Sequence, residues 1–487
     1  MANQKRKFGF YRSPSNRKRT KQDDEESARF RIPRHLRNFI NQVSRDKTER
    51  VFIIRCSLQS MGFVRKLAWG IRDTATSIVV RVKFHDTGRE TSTHFCVHNS
   101  SDKSPSFGHQ FCVDSDKQPN KVICTTRPNI MTCVIGIELY NLIRTSKGVT
   151  LADIHQKIEQ VITSNPTTKC LICSKRNNVK TWNSATCSDQ CKKKLEAWPL
   201  SAQLSQLIID LKAFDFLLCC IYTAALTKNK FAPQGTFQSL LRDCPIDSGR
   251  IPSLIDSFPK DLTRLMSSLD TDTLYQTSYR RERIKFLSWI SSSFCGCLVS
   301  LPPTANLHIN GMGSAHQFLL LNAHLDRQTR FMHKINALRT PSGSVAFHGT
   351  PSFNTLKILT EGLKANRIGL FYAPEPSISL GYAAKFRQDG HLRPWKKSSF
   401  EGSQYLVVFG CEVANSAIPW KPRNGRLFEH FTFDVNTVMV RYVFLCPPSQ
   451  QVPLASTIQP KMLAAYTALG KGTLTSENIQ GSTNKKG

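Results

Sequence analysis

The sequence predicts an α+β, multidomain protein, and three observations carry that prediction. Strand-like apolar runs at Val51–Ile54 and Ser77–Phe84 precede helical apolar spacing at Ile130–Ile143 and Leu151–Ile162. A polar, cysteine-punctuated stretch then gives way to dense helical spacing from Ala202 to Lys228. Beyond residue 300, short apolar runs alternate with short helical patterns. A chain of 487 residues holds about two or three domains, and 40% hydrophobic residues suffices for packed cores.

Residues 1–47 are polar and basic, with KRK at Lys5–Lys7 and RKR at Arg17–Arg19, and are expected to form a disordered basic tail. The two clusters are spaced like a bipartite nuclear-localisation signal, so the expected location is nuclear or cytoplasmic, with the nucleus favoured. The opening MANQKRKFGF lacks the apolar core of a secretory signal. The sixteen cysteines are therefore expected to be reduced. A net charge of +32 implies attraction to nucleic acid, acidic proteins or anionic surfaces. Nucleic acid is thus a candidate partner, although no aromatic-interleaved basic patch or base-reading helix stands out. The longest apolar run, Phe214–Leu226, is too short to cross a bilayer, and no membrane span is expected.

Residues 48–165 read as an α+β domain with a third strand at Lys121–Cys124, an architecture compatible with a ubiquitin-conjugating-like fold. No catalytic constellation falls in it. Residues 166–195 form a cysteine-rich module. Cys170-x₂-Cys173 and Cys187-x₃-Cys191 flank a thirteen-residue polar loop, and two close thiolate pairs suit the tetrahedral cage of a structural Zn²⁺. Freshly purified, reduced protein is expected to carry about one zinc per chain, and Cys173→Ser to lose it and loosen the module. Metal analysis finding no zinc would remove the assignment. Residues 196–299 are a helical segment, with helices at Ala202–Lys228, Leu262–Leu269 and Tyr279–Ile290. Residues 300–450 hold the candidate chemistry. Beyond residue 451 periodicity fades, and 451–487 are expected to be a disordered tail.

The densest group of chemistry-bearing residues runs from Val345 to Tyr382, VAFHGTPSFNTLKILTEGLKANRIGLFYAPEPSISLGY. Val345-Ala346-Phe347 suits a buried strand that ends in His348-Gly349. Ser352 is a plausible N-cap for a helix that Gly362 closes. A second strand, Gly369–Ala373, stops at Pro374, and a short helix from Pro376 puts Ser379 and Tyr382 on one face. This set suits a planar, carboxamide-bearing ring. The Gly349 backbone can approach a ligand closely, Ser379 can donate or accept, Phe371 and Tyr382 offer aromatic faces, and His348 can bond a sugar hydroxyl.

The motifs FHGT (Phe347–Thr350), ILTEGL (Ile358–Leu363), GLFYAPEPSISLGY (Gly369–Tyr382), YLVVFGCEVA (Tyr405–Ala414) and VRYVFLC (Val440–Cys446) resemble the catalytic domain of the poly(ADP-ribose) polymerase family, diphtheria-toxin-like ADP-ribosyltransferases. FLSWISS (Phe286–Ser292), HQFLLLN (His316–Asn322) and, more faintly, KLAWGI (Lys66–Ile71) resemble the subgroup with a cysteine-rich segment ahead of that domain. The resemblance implies a split-sheet ADP-ribosyltransferase domain at 300–450, a pentosyl transfer from NAD⁺ to protein acceptors, and NAD⁺ held by His348, Gly349, Phe371, Ser379 and Tyr382.

Cleaving the nicotinamide–ribose bond leaves positive charge on the ribose, which an adjacent carboxylate stabilises. Register counted back from Tyr442 places Glu429, in FEHFTFDV, at the family's acidic position, with His430 its neighbour. The resemblance therefore implies His348, Phe371 and Glu429 as the catalytic set, with the Glu429 carboxylate facing His348 across a cleft. Members with a carboxylate there extend chains, and others attach single units. With Glu429 the sequence departs from its nearest subgroup, several of whose members lack the acid, and it departs from the family pattern twice more. Phe371 stands where a tyrosine is usual, with Tyr372 on the opposite strand face, and only Lys364–Ile368 separate Leu363 from Gly369. Two other readings remain: a catalytically inactive NAD⁺ or ADP-ribose reader, and a zinc-dependent nucleic-acid-binding protein. Asp434 is expected further along the Glu429 strand, on its other face.

Overall fold

A computed structural model of the chain describes residues 40–46, 51–71, 75–86, 91–99, 130–145, 149–163, 190–191, 200–231, 241, 243–265, 278–294, 296–312, 316–322, 325–337, 343–367, 369–385, 390–402, 404–414, 418–420, 429–449, 451–471 and 473–480. Among them helix and strand are mixed, and every strand pairing is antiparallel, in keeping with the α+β class. No described helix is long and apolar enough to cross a membrane.

A four-stranded meander comes first: β1 (Ile40–Asp46), β2 (Val51–Ser57), β3 (Ser77–Asp86) and β4 (Thr91–Asn99), in that order. Helix α1 (Phe63–Ala68) joins β2 to β3, and α2 (Ile130–Thr145) and α3 (Leu151–Thr163) follow the sheet. Alternate residues Ile54 and Cys56 of β2 and Ile78, Val80 and Val82 of β3 meet Ile135 and Leu139 of α2 and Ile154 and Ile158 of α3. Periods of two and of about four thus share one core. Strand β1 corrects the expectation of disorder up to residue 47: its backbone pairs with β2 from Ile40 to Asp46, so a polar, basic composition did not prevent ladder formation. The strand expected at Lys121–Cys124 and the basic clusters near the N-terminus lie outside the described residues.

The expected helix Ala202–Lys228 is two: α4 (Leu200–Leu204) and α5 (Leu211–Phe231). Asp210 separates them. It caps α5 by accepting from the Ala213 N–H (2.9 Å), and its second oxygen accepts from the N–H and hydroxyl of Ser300 (both 2.6 Å). Helices α6 (Ile251–Asp256) and α7 (Ser278–Ser293) complete the segment; the expected helix from Leu262 is described only as far as residue 265.

These helices pack on the second region, which contains a five-stranded sheet ordered β5-β6-β12-β9-β7. Its strands are β5 (Cys297–Leu301), β6 (His316–Asn322), β7 (Ser344–Gly349), β9 (Leu406–Val413) and β12 (Val438–Cys446). A smaller sheet, β10-β11-β8, comprises β10 (Ile418–Trp420), β11 (Glu429–Thr432) and β8 (Leu370–Tyr372). Helices α8 (Leu325–Asn336), α9 (Thr355–Glu361) and α10 (Pro376–Ala383) lie between strands in sequence.

The large sheet is buried on both faces, so β9 and β12 read as apolar runs broken only by Glu412 and Arg441, which pair with each other. Val407, Phe409 and Cys411 join the core of α5, α6 and α7, where Phe216 stacks on Phe318 at 4.6 Å. Val408, Tyr442 and Phe444 face the other way, into a core that takes in Phe63 and Leu67 of α1. The helical segment and the sheet also share a buried polar junction. Asp215 of α5, itself 4% exposed, accepts from Trp395 Nε1 (2.6 Å), the Ser399 N–H and hydroxyl (both 2.7 Å) and the Ser398 hydroxyl (3.1 Å).

The far core is closed by α11 (Ala455–Lys471) and α12 (Ser476–Gln480), which correct the expectation of a disordered tail at 451–487. Ile458, Met462, Ala465, Tyr466 and Leu469 are buried at helical spacing. Pro460 inside the helix hides that period in the sequence. Met462 covers Gly410 of β9, where an added Cβ would come within 2.5 Å of its methyl group.

Candidate active site

The two sheets of the second region meet at the end of β7. Phe347 and Ala373 exchange backbone hydrogen bonds, 2.8 Å each way, just beyond β8. One residue on, His348 Nδ1 donates to the Phe371 carbonyl at 2.8 Å. A carbonyl can only accept, so Nδ1 carries the proton and Nε2 is left with a lone pair. Burial pushes the imidazole pKa down, against the smaller upward pull of the Phe371 bond. The ring is thus a neutral acceptor, suited to a sugar hydroxyl. Phe409, on neighbouring β9, lies 6.3 Å from it between ring centroids.

Gly349 is required by close approach. A Cβ there would fall 1.6 Å from the Ser379 carbonyl oxygen, so α10 lies directly on the strand end. Ser379 is buried at that contact. Glu375 sets the start of α10, and its carboxylate accepts from the Ala455 N–H at 2.8 Å, tying α10 to the beginning of α11. His348, Gly349, Phe371 and Ser379 are therefore brought together. Tyr382, one turn further along α10, is 37% exposed, and its ring meets the Lys385 ammonium 4.5 Å from the centroid.

Phe371 is half-buried between two buried neighbours, Leu370 and Tyr372. Tyr372 sits on the opposite face, as alternation requires, stacked on His430 at 5.9 Å and 17°. Strand β11 pairs His430 with Tyr372 and Phe431 with Phe371. Glu429 opens β11, two residues before Phe431, and so occupies the Phe371 face of the small sheet. Its side chain lies outside the described residues.

Three other acids of this region have side-chain partners. Glu361 pairs with Lys364, and Glu412 with Arg441 at 2.8 Å. Asp434 pairs with Lys334 at 2.8 Å. Asp434 also corrects an expectation: β11 ends at Thr432, and Asp434 caps the following 3-10 turn rather than extending the strand. The short connection before β8 is a tight reversal in which Asn366 and Gly369 exchange backbone bonds of 3.2 and 3.1 Å. Of the four cysteines assigned to zinc, Cys170, Cys173 and Cys187 lie outside the described residues, and Cys191 is buried. Among the described residues no cluster of His, Cys, Asp or Glu could hold a metal.

A scan against models of known protein families finds no match to this chain, and a search of curated proteins finds none either.

Burial also holds other imidazoles neutral, with His155 and His316 each pushed down to about 4. An unfolded histidine titrates near 6.5. The unfolded chain therefore binds more protons between 6.5 and about 4, and this contribution is complete above 6.5 and lost as pH falls. Carboxylates held low, such as Asp434, lose their contribution only below their ordinary range. Thermal unfolding measured from pH 7.5 to 4.5 is expected to show Tm falling mainly below 6.5. A flat profile across that window would contradict the assignment.

Proposed function

We propose that this protein is an NAD⁺-dependent ADP-ribosyltransferase acting on protein acceptors. The observation that carries the reading is the register of β8 and β11, which gives Phe371 and Glu429 one face of the small sheet while the Phe371 carbonyl holds His348. The Phe371 carbonyl thus links the His348 imidazole to a strand pair that carries an aromatic ring and a carboxylate position on one face. In this reading His348 Nε2 accepts from a ribose hydroxyl. The Gly349 backbone and Ser379 hold the nicotinamide carboxamide, and Phe371 and Tyr382 border the ring. Glu429 stands where charge develops on the ribose and takes the proton of the attacking acceptor. Phe371 supplies an aromatic face without a phenol, so ring binding there rests on stacking.

Purified protein incubated with NAD⁺ labelled in the adenylate half is expected to attach label to protein, as a single shifted band or a ladder. Label bound reversibly, with no covalent product, would instead establish the inactive reader. No label in either form would overturn both.

A further inference from the structure

We propose that Lys385 tunes the charge preference of the nicotinamide subsite, disfavouring the cationic ring of intact NAD⁺ relative to the neutral nicotinamide that leaves; the proposal rests on the transferase reading above. Lys385 lies just past Ala384, the C-cap of α10, and is exposed. Its Nζ stands 4.5 Å from the centroid of the Tyr382 ring, which is itself 37% exposed and which the transferase reading sets beside the nicotinamide ring. An aromatic face attracts cations through its quadrupole. The ammonium already engages that attraction, and the pyridinium of NAD⁺ is a second cation drawn to the same ring. Even on opposite faces the two charges stand roughly 8 Å apart, a spacing at which repulsion near a protein surface exceeds thermal energy.

That repulsion changes during the reaction. The C1′–N bond breaks with its electron pair passing to the nicotinamide nitrogen, so the ring becomes neutral. Positive charge moves to the ribose, toward the Glu429 position. The acceptor nucleophile then closes a bond to C1′ and gives its proton to the carboxylate. Lys385 therefore raises the energy of the bound cation more than that of the transition state, which lowers the barrier from the bound complex. The same residue weakens NAD⁺ binding, so KM and kcat rise together.

Lys385→Met keeps the apolar stem and removes the charge at an exposed position, and circular dichroism checks that the variant folds. Binding of 1-methylnicotinamide, a cation, and of nicotinamide, its neutral counterpart, is measured by calorimetry at low salt. The Met variant is expected to favour the cation about fivefold more than the parent does, and Lys385→Arg to keep the parent ratio. With NAD⁺, the Met variant is expected to lower KM and kcat together, with kcat/KM changing less than either. Binding of both rings with a ratio unmoved by the Met variant overturns this inference and leaves the transferase reading standing. Failure of the parent to bind either ring overturns the subsite and the inference with it.

Discussion

Glu429→Gln is expected to reduce ADP-ribose transfer by about 10²–10³-fold, the scale of losing one principal electrostatic stabiliser, while NAD⁺ affinity changes little. The amide keeps shape and hydrogen bonding and removes the charge that the proposed mechanism sets against the developing oxocarbenium ion. The surrounding acids offer no substitute. Glu361, Glu412 and Asp434 are bound to Lys364, Arg441 and Lys334, and Glu375 is held by the backbone of Ala455. Single-turnover transfer with a bound-ligand control separates chemistry from binding. Transfer by the Gln variant at the parent rate would remove Glu429 from the mechanism and strengthen the reading of the site as a binder.

The second large effect concerns stability. In β12 the register with β9 slips between Val440 and Tyr442, so Arg441 is a bulge residue. It is 2% exposed. Its Nε donates to Glu412 at 2.8 Å and its Nη1 to Gln328 of α8 at 3.1 Å, with the guanidinium 5.4 Å from the centre of the Phe331 ring. Glu412→Ala leaves that charge buried without its counter-ion and is expected to destabilise the protein by about 3–5 kcal/mol. Replacing both partners with methionine is expected to recover most of the loss, because desolvation offsets much of what a buried pair contributes. Urea unfolding of the single and double variants gives the comparison. A single variant that costs under about 1 kcal/mol would mean that water reaches Arg441.

Local chemistry was legible wherever a residue type dictates the backbone. Gly362 ends α9 at φ 80°, and Pro374 and Pro376 mark the end of β8 and the start of α10. The apolar runs of β9 and β12 and the place of His348 at a strand end were equally readable. Ser352 was not the helix cap it resembles. It opens a 3-10 turn and is fully buried, and α9 begins at Thr355. Long-range partnerships left no local mark. Nothing near Asp215 announces Trp395 and Ser399, and nothing near Glu375 announces Ala455. The final helices were missed because Pro460 interrupts a period that only their burial reveals. Lys385 was missed because a single lysine after a motif looks like ordinary surface until its ammonium is seen over Tyr382.

The strand order of the large sheet has a consequence for synthesis on the ribosome. Strand β12 lies between β6 and β9, yet it emerges more than a hundred residues after β6 ends at Asn322. At translation rates of about 5–20 residues per second, β6 waits roughly 6–25 s for its inner neighbour. The nascent chain during that interval carries an apolar strand with one open edge. The β1–β4 meander and its helices are complete long before. Vectorial folding thus divides the molecule in time: an early N-terminal unit, then a second sheet that closes only once Val438–Cys446 have emerged.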